Sequence, residues 1–248
     1  MPIRKGTKNQ TFREQIINRG EYHIPVSVVL NVSWKDSGEY KHTVSQTVAE
    51  FFDAAKADSF ASGRLELCLI ASNNGGQILK PFRAPASLSV PTMDSLKRKG
   101  KKDIDAAIQE ALCQMEQRIA LYKKLGVPNY YSPSLYIFSN GDNMPLNNTT
   151  IELIRRKQNK RKLLCFSVSL TNPADCSALL ELQNSISGIQ TLMPSYNVFH
   201  EVFTNLAFSH SIQFSASKRT TLEESSSPDK PPAQSNLRPF PSSIEIGI

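Results

Sequence analysis

The amino-acid sequence has no long apolar run, few cysteines and few glycines. Its apolar stretches are far shorter than the roughly 20 residues that span a bilayer, and no apolar segment follows the basic N-terminus, so we expect neither a membrane span nor a secretory leader. The four cysteines show no C-x-x-C spacing, which excludes a disulfide framework and favours a cytoplasmic location. With 11 Gly and 15 Pro in 248 residues, the chain is neither collagen-like nor wholly disordered.

Motifs of common enzyme classes are missing too. The sequence contains no G-x-x-x-x-G-K-[ST], no G-x-G-x-x-G, no G-x-S-x-G and no H-E-x-x-H, which argues against the nucleotide-binding, hydrolase and metalloprotease sites that these motifs build. The four histidines have no placed carboxylate or thiol partner in the sequence pattern. Asp103 and Asp105 are better explained as a helix cap and a first-turn acid than as a catalytic dyad. We therefore expect no enzyme activity and no cofactor.

Predicted strands and helices alternate along the chain. The β-branched run from Ile24 to Val32 is typical of a strand buried on both faces, and residues 38–58 carry apolar side chains at helical spacing. Asn73 to Gly76 separates two apolar segments and predicts a hairpin with one antiparallel edge strand. Repetition of this pattern predicts an α/β fold, a doubly wound and mostly parallel sheet with helices on both faces.

The second half repeats the alternation and sets the domain limits. Asp103 is a predicted N-cap for a long helix with a buried stripe that includes Ile119, and Gly126 ends that helix. The Pro-, Ser- and Lys-rich segment 83–102 has no period and is expected to be a surface loop. We predict a basic N-terminal arm at 1–20, one domain at 21–217 and a disordered Ser/Pro-rich tail at 218–248.

Four segments, in order, resemble a known family. They are IPVSVVLNVSWKDSGEY, KKDIDAAIQEAL, SLYIFSNGDNMP and NVFHEVFTNLAFSHSIQFSAS. They look like the von Willebrand factor type A domain, most closely its bacterial tellurium-resistance-associated, TerY-like branch. The resemblance covers about residues 25–217 and implies the strand order 3-2-1-4-5-6.

The family's metal-ion-dependent adhesion site does not transfer to this chain residue by residue. In the family, an aspartate and two serines come from the first loop, a threonine from the second and an aspartate from the third. The matching positions here are Asn31 and Ser33, then Lys35 for the second serine, Lys102 for the threonine and Asn140 for the last aspartate. Of the five ligand positions, only Ser33 keeps the residue type of the family.

The replacements predict a degenerate site without a metal. Mg²⁺ prefers hard oxygen ligands that include carboxylates, and a Lys nitrogen about 4 Å from a divalent ion repels it by roughly 8 kcal/mol at an effective dielectric near 20. We expect the site to bind partners directly, with Lys35 and Lys102 receiving an acidic side chain or a phosphate. Trp34, which lies in the same loop as Lys35, is either an interface anchor or folded over that loop. The candidate partner-binding residues are Asn31, Ser33, Trp34, Lys35, Lys102 and Asn140. Solvated lysines at a silent site remain the alternative.

The expected function is therefore a non-catalytic adaptor or regulatory module. The TerY-like resemblance implies a bacterial stress, defence or signalling assembly, with a protein kinase and a PP2C-type phosphatase as partners. The net charge of +7 and the basic runs at 97–102 and 155–162 leave a nucleic-acid-binding module as the alternative function, although a solvated surface also explains these runs. A third possibility is a metal-using enzyme or adhesin, in which residues such as Asp36 or Asp142 replace the lost carboxylates and bind Mg²⁺ or Ca²⁺.

Overall fold

The computed structural model describes residues 23–127, 132–140, 146–160, 162–171, 177–186 and 189–204. These residues belong to the first of two units, which comprises Met1–Thr204. The predicted arm at 1–20, the predicted tail at 218–248 and both predicted limits of the domain at 21 and 217 lie outside the described residues. Within the described ranges, no helix combines the length and the apolar character needed to cross a membrane.

Six strands form one sheet. They are β1 (Ile24–Leu30), β2 (Leu65–Ala71), β3 (Gln77–Arg83), β4 (Ser134–Ser139), β5 (Leu164–Ser169) and β6 (Gln190–Leu192). The order across the sheet is β3-β2-β1-β4-β5-β6. Neighbouring strands are parallel except β2 and β3, which pair antiparallel. Every residue of β1, β2 and β4 is buried. The predicted doubly wound, mostly parallel sheet with one antiparallel edge is confirmed.

Helices flank the strands, and their caps are readable in the sequence. They are α1 (Gly38–Ala57), α2 (Ser59–Arg64), α3 (Ile104–Leu125), α4 (Asn148–Asn159) and α5 (Ser177–Ser185), and residues 196–204 are also helical. Ser37 caps α1 by accepting from the amide of Tyr40. Asp103 caps α3 by accepting from Ala106 at 2.9 Å, and Gly126 ends α3 at φ 66°, both as predicted.

Different side chains cover the two faces of the sheet. On one face, Phe51 of α1 makes edge-to-face contacts with Tyr136 and Phe138 of β4 and with Phe199 and Phe203 of the 196–204 helix. On the other face, α3, α4 and α5 bury aliphatic residues against the sheet. These include Ile108, Leu112, Ile154, Leu179 and Leu182. Helices on both faces explain why the strands are apolar throughout.

Two expectations need correction. Segment 83–102 is not irregular throughout, because it contains 3-10 turns at Pro85–Ser87 and Met93–Ser95 that help to bury Leu88, Met93 and Leu96. Ile119 does not continue the buried stripe of α3; it is half-buried. Arg118 is buried instead, because a carboxylate inside the domain pairs with it.

That carboxylate is Glu66, the one charged residue in the apolar strand β2. It is fully buried and accepts hydrogen bonds from Arg118 Nε at 2.5 Å and from the Tyr122 hydroxyl, and His23 Nδ1 lies 3.8 Å from it. Burial by itself would raise the pKa of the Glu66 carboxyl, but the hydrogen bond and charge of Arg118 and the bond from Tyr122 hold this pKa below its ordinary value. Glu66 is therefore ionised and paired with Arg118 in the core.

We expect Glu66→Gln to lower the free energy of unfolding by about 3 kcal/mol at neutral pH, because the buried Arg118 guanidinium loses its counter-charge. Since the folded-state pKa of Glu66 is depressed, its contribution is full above the ordinary pKa and is lost as the pH falls through the folded-state value. The stability gap between wild type and variant, measured by denaturant unfolding, should therefore narrow below about pH 4.5. Glu201→Gln, at an exposed helical position, is the control and should show no such gap. A Glu66→Gln gap that is constant with pH would contradict the paired, ionised state.

Candidate functional site

The carboxyl ends of β1, β2 and β4 meet at one edge of the sheet, which we call the carboxyl-end rim. Its described residues are 31–37, 72–76, 97–103 and 139–140. The strand order reverses between β1 and β4, and α/β sheets bind ligands where this happens. The rim contains all six candidate residues from the sequence. Asp142, offered above as a replacement ligand, lies outside the described residues.

Asn31 is a buried bridge between three strand ends. Its Nδ2 donates to the hydroxyl of Ser139, the last residue of β4, at 2.9 Å, and its Oδ1 accepts from the hydroxyl of Ser72, just after β2, at 3.2 Å. Its own carbonyl accepts from the Tyr40 hydroxyl at 3.0 Å. Asn31 is 3% exposed. An amide suits this position because it donates to one strand end and accepts from the other, which an ionised carboxylate cannot do.

Lys102 is held by an acid from its own chain. Its Nζ lies 3.2 and 3.4 Å from the two carboxylate oxygens of Asp36 and 5.3 Å from the centroid of the Tyr40 ring. Asp36 Oδ2 also accepts from the buried amide of Ser33 at 2.6 Å. The side chains of Lys102 and Asp36 are only 23% and 20% exposed, so solvent screens this pair less than a surface pair. A partner's acid, predicted above to pair with Lys102, would have to displace Asp36.

Trp34 and Lys35 occupy the outer part of the rim. Lys35 is exposed, and its Nζ lies 5.4 Å from the centroid of the Trp34 ring. Trp34 is half-buried, and its backbone is fixed from both sides: its amide donates to Asn73 Oδ1 at 3.2 Å and its carbonyl accepts from Lys41 Nζ at 2.7 Å. The rim therefore presents a positioned indole ring beside an exposed ammonium group.

Asn140, the last candidate, follows β4. Its carbonyl accepts from the Thr171 hydroxyl at 3.1 Å, which ties the end of β4 to the segment after β5. Its side chain is half-exposed.

Asn73 organises the rim, and sequence reasoning assigned it only to a turn. The residue is fully buried. Its Oδ1 accepts from Trp34, and its Nδ2 donates to the Lys97 carbonyl at 3.0 Å and to Gln77 Oε1 at 2.9 Å. It also forms an isolated β-bridge with Lys102. One amide side chain thus fixes the loop after β1 against the loop before α3. Its place at the end of an apolar strand was the available signal.

The described residues at the rim do not fit a magnesium site. The side-chain oxygen of Asn31 accepts from Ser72, and the carboxylate of Asp36 has the Lys102 ammonium group against both of its oxygens. Within the described part of the chain, no group of three His, Cys, Asp or Glu residues could hold a metal ion. A divalent ion at Asp36 would have to expel the Lys102 ammonium, which repels it.

We predict that Gly100→Ala lowers the free energy of unfolding by at least about 2 kcal/mol. Gly100 has φ +84°, and a Cβ there would lie 2.3 Å from Asn74 Oδ1 and 2.6 Å from Asn74 Cα. Gly63→Ala, in α2 with nothing within 4 Å of its Cβ, is the matched control and should be neutral or stabilising. Denaturant unfolding of both variants measures this difference. Equal effects would mean that the loop does not pack against the turn as described.

We also predict that about 10 mM MgCl₂ or MnCl₂ leaves the melting temperature unchanged within about 1 °C. A folded-state site with a hundredfold lower Kd would add about 2.7 kcal/mol of stability. The measurement is thermal unfolding with each salt against an ionic-strength control. An increase of several degrees that Asp36→Asn abolishes would show that Asp36 is a metal ligand.

No protein-family model matches the chain, and no curated protein matches it by sequence. Solved structures do match its fold. The SpRpn10 VWA domain aligns with a TM-score of 0.50 and 16% identity over 74% of this chain and 94% of its own. An aerotolerance-related membrane protein from Bacteroides fragilis aligns at 0.45 and 10% identity, over 73% of this chain and 96% of its own. Proximal thread matrix protein 1 from the mussel byssus also aligns at 0.45 and 10% identity, over 74% of this chain and 44% of its own. On the first of these alignments and the strand order, the chain has the fold of a von Willebrand factor type A domain.

Proposed function

We propose that this chain is a non-catalytic protein-interaction module that binds partner proteins at the carboxyl-end rim without a bridging metal ion. The observation that carries the proposal is the ion pair between Lys102 and Asp36. It places a covalently attached cation at the rim and satisfies it from within the chain. Asn31 and Asn73 also fix the loops of the rim through hydrogen bonds. The rim is therefore a preformed surface.

The buried nucleophiles support the non-catalytic part of this proposal. Cys68 lies in β2 and Cys165 in β5, and burial raises the pKa of each thiol to about 12, so neither forms a reactive thiolate near neutral pH. Burial likewise raises the pKa of the Tyr136 hydroxyl. These groups are packed in the core. In the described part of the rim, Asp36 is paired with Lys102 and Asp103 caps α3, and the amides, serines and lysines around them suit binding more than acid–base catalysis.

The setting of the module rests on the sequence resemblance. The TerY-like pattern of the four segments leads us to place it in the cytoplasm of a bacterium, in a stress, defence or signalling assembly of the kind associated with tellurium resistance. A protein kinase and a PP2C-type phosphatase are the partners to test first.

Nucleic-acid binding is the weaker candidate because the two basic runs do not form one track. The run at 97–102 leads into the N-terminus of α3 at the carboxyl-end rim, whereas the run at 155–162 leads into β5 at the opposite end of the sheet. In the second run, Arg155 and Arg156 pair with Glu152, and Lys157 pairs with Glu116. These two carboxylates offset part of the positive charge of the second run and so reduce what it offers to phosphates.

Photo-crosslinking tests the proposal. The full chain would carry p-benzoylphenylalanine in place of Lys35 at the rim, or in place of Lys123, which is exposed at the C-terminal end of α3 and away from the rim. Both proteins are irradiated in an extract of the organism of origin, with EDTA or with MgCl₂. We expect a discrete adduct from position 35 in both buffers and none of the same mass from position 123.

Two results would contradict the proposal. Adducts that disappear with EDTA would show that a metal ion bridges the partner. Position 35 giving no adduct, or the same adducts as position 123, would show that the rim is not the binding surface.

A further inference from the structure

A cleft of about 330 Å³ opens at Trp34, on the carboxyl-end rim. We call it the Trp34 cleft; it is lined by Trp34, Lys41, Met93, Asp94, Leu96 and Arg98. Its volume is at the lower end of the roughly 300–1,000 Å³ of ligand pockets. This is room for an inserted side chain rather than for a large cofactor.

The lining of the cleft is apolar at its base. Met93 and Leu96 are 3% and 4% exposed, and the 3-10 turn Met93–Ser95 holds them in place. The indole ring of Trp34 completes this apolar part. An apolar side chain of a partner matches this lining.

The border of the cleft is positively charged. The segment from Met93 to Lys102 has five basic residues and one acidic residue, Asp94. Asp36 neutralises Lys102, while the side chains of Lys97, Arg98, Lys99 and Lys101 are exposed. Their positive field favours a negatively charged partner.

The charged border is also fixed in position. The amide of Lys97 donates to Gln77 Oε1 at 3.0 Å, and its carbonyl accepts from Asn73. The carbonyl of Lys101 accepts from the amide of Asn74 at 3.0 Å. Because this backbone is held on both sides of Gly100, binding would cost little ordering of the loop.

The geometry points to a short acidic segment of a partner protein as the ligand of the Trp34 cleft, with one aromatic or aliphatic side chain inserted against Trp34, Met93 and Leu96. Its carboxylates pair with Arg98 and the exposed lysines of the border. This inference rests on the proposed function and specifies the chemistry of the partner. The cleft provides a single half-buried ring, not the series of stacking surfaces that single-stranded nucleic acids use.

Trp34 is the only tryptophan of the chain, so its fluorescence reports on the cleft directly. The immobilised full chain is first used to select from a phage-displayed library of random dodecapeptides. The most enriched peptide free of tryptophan is then synthesised and titrated against the chain while Trp34 emission is followed. We expect enriched peptides to combine several Asp or Glu residues with one aromatic or aliphatic residue, and the peptide to change Trp34 emission saturably.

Matched charge reversals locate the binding site. Lys97→Glu with Arg98→Glu changes the border, and Lys123→Glu with Lys124→Glu makes the same charge change at exposed positions at the end of α3. We expect the first pair to weaken peptide affinity at least about tenfold and the second to change it by less than about twofold. Replacing the apolar residue of the peptide by Ala should also weaken binding.

Several outcomes would overturn the inference. These are no enrichment, enrichment of uncharged or basic peptides, equal effects of the two reversal pairs, and tighter quenching of Trp34 by a thymidine oligonucleotide than by the peptide. Each of them leaves the crosslinking result at position 35 untouched. A rim adduct without acidic-peptide binding would therefore reject the acidic ligand and keep the interaction module, whereas loss of both would reject the module itself.

Discussion

In a sheet that is buried on both faces, the carboxyl ends of the parallel strands lie together at one edge. The buried polar groups at these strand ends need hydrogen-bond partners within the protein. Asn31 meets this need by joining the end of β1 to Ser72 after β2 and to Ser139 at the end of β4. Asn73 joins the loop after β1, at Trp34, to the loop before α3, at Lys97. The positions of Trp34, Lys102 and the basic border all follow from these two amides.

The two ends of the domain use charge in different ways. At the end away from the rim, Glu66 and Arg118 are buried and hydrogen-bonded, and the desolvation of such a pair offsets much of its attraction. At the rim, Lys102 and Asp36 keep about a fifth of their surface exposed, and neighbouring cations face solvent. The first pair contributes to a unique core; the second leaves a charged surface on which a partner can act.

Local signals in the sequence identified the elements well. The β-branched run of β1, the Asn73–Gly76 turn, the Asp103 cap and the Gly126 terminator each depend on residues within a few positions of one another, and all are found in the structure. Segment 83–102 was less predictable. Its two short turns have no periodic pattern, and their apolar residues are buried because the turns pack against α1 and β2.

The sequence by itself determined the order of the six strands and of the longer helices, and its family resemblance predicted that lysines and amides replace the ligands of a metal site. Only the tertiary structure decided which acid pairs with each buried or half-buried cation. Lys102 meets Asp36 across 66 positions, and Arg118 meets Glu66 across 52. Nothing local in the chain encodes such pairs. They exist because a sheet built from crossover connections brings distant segments to the same strand ends.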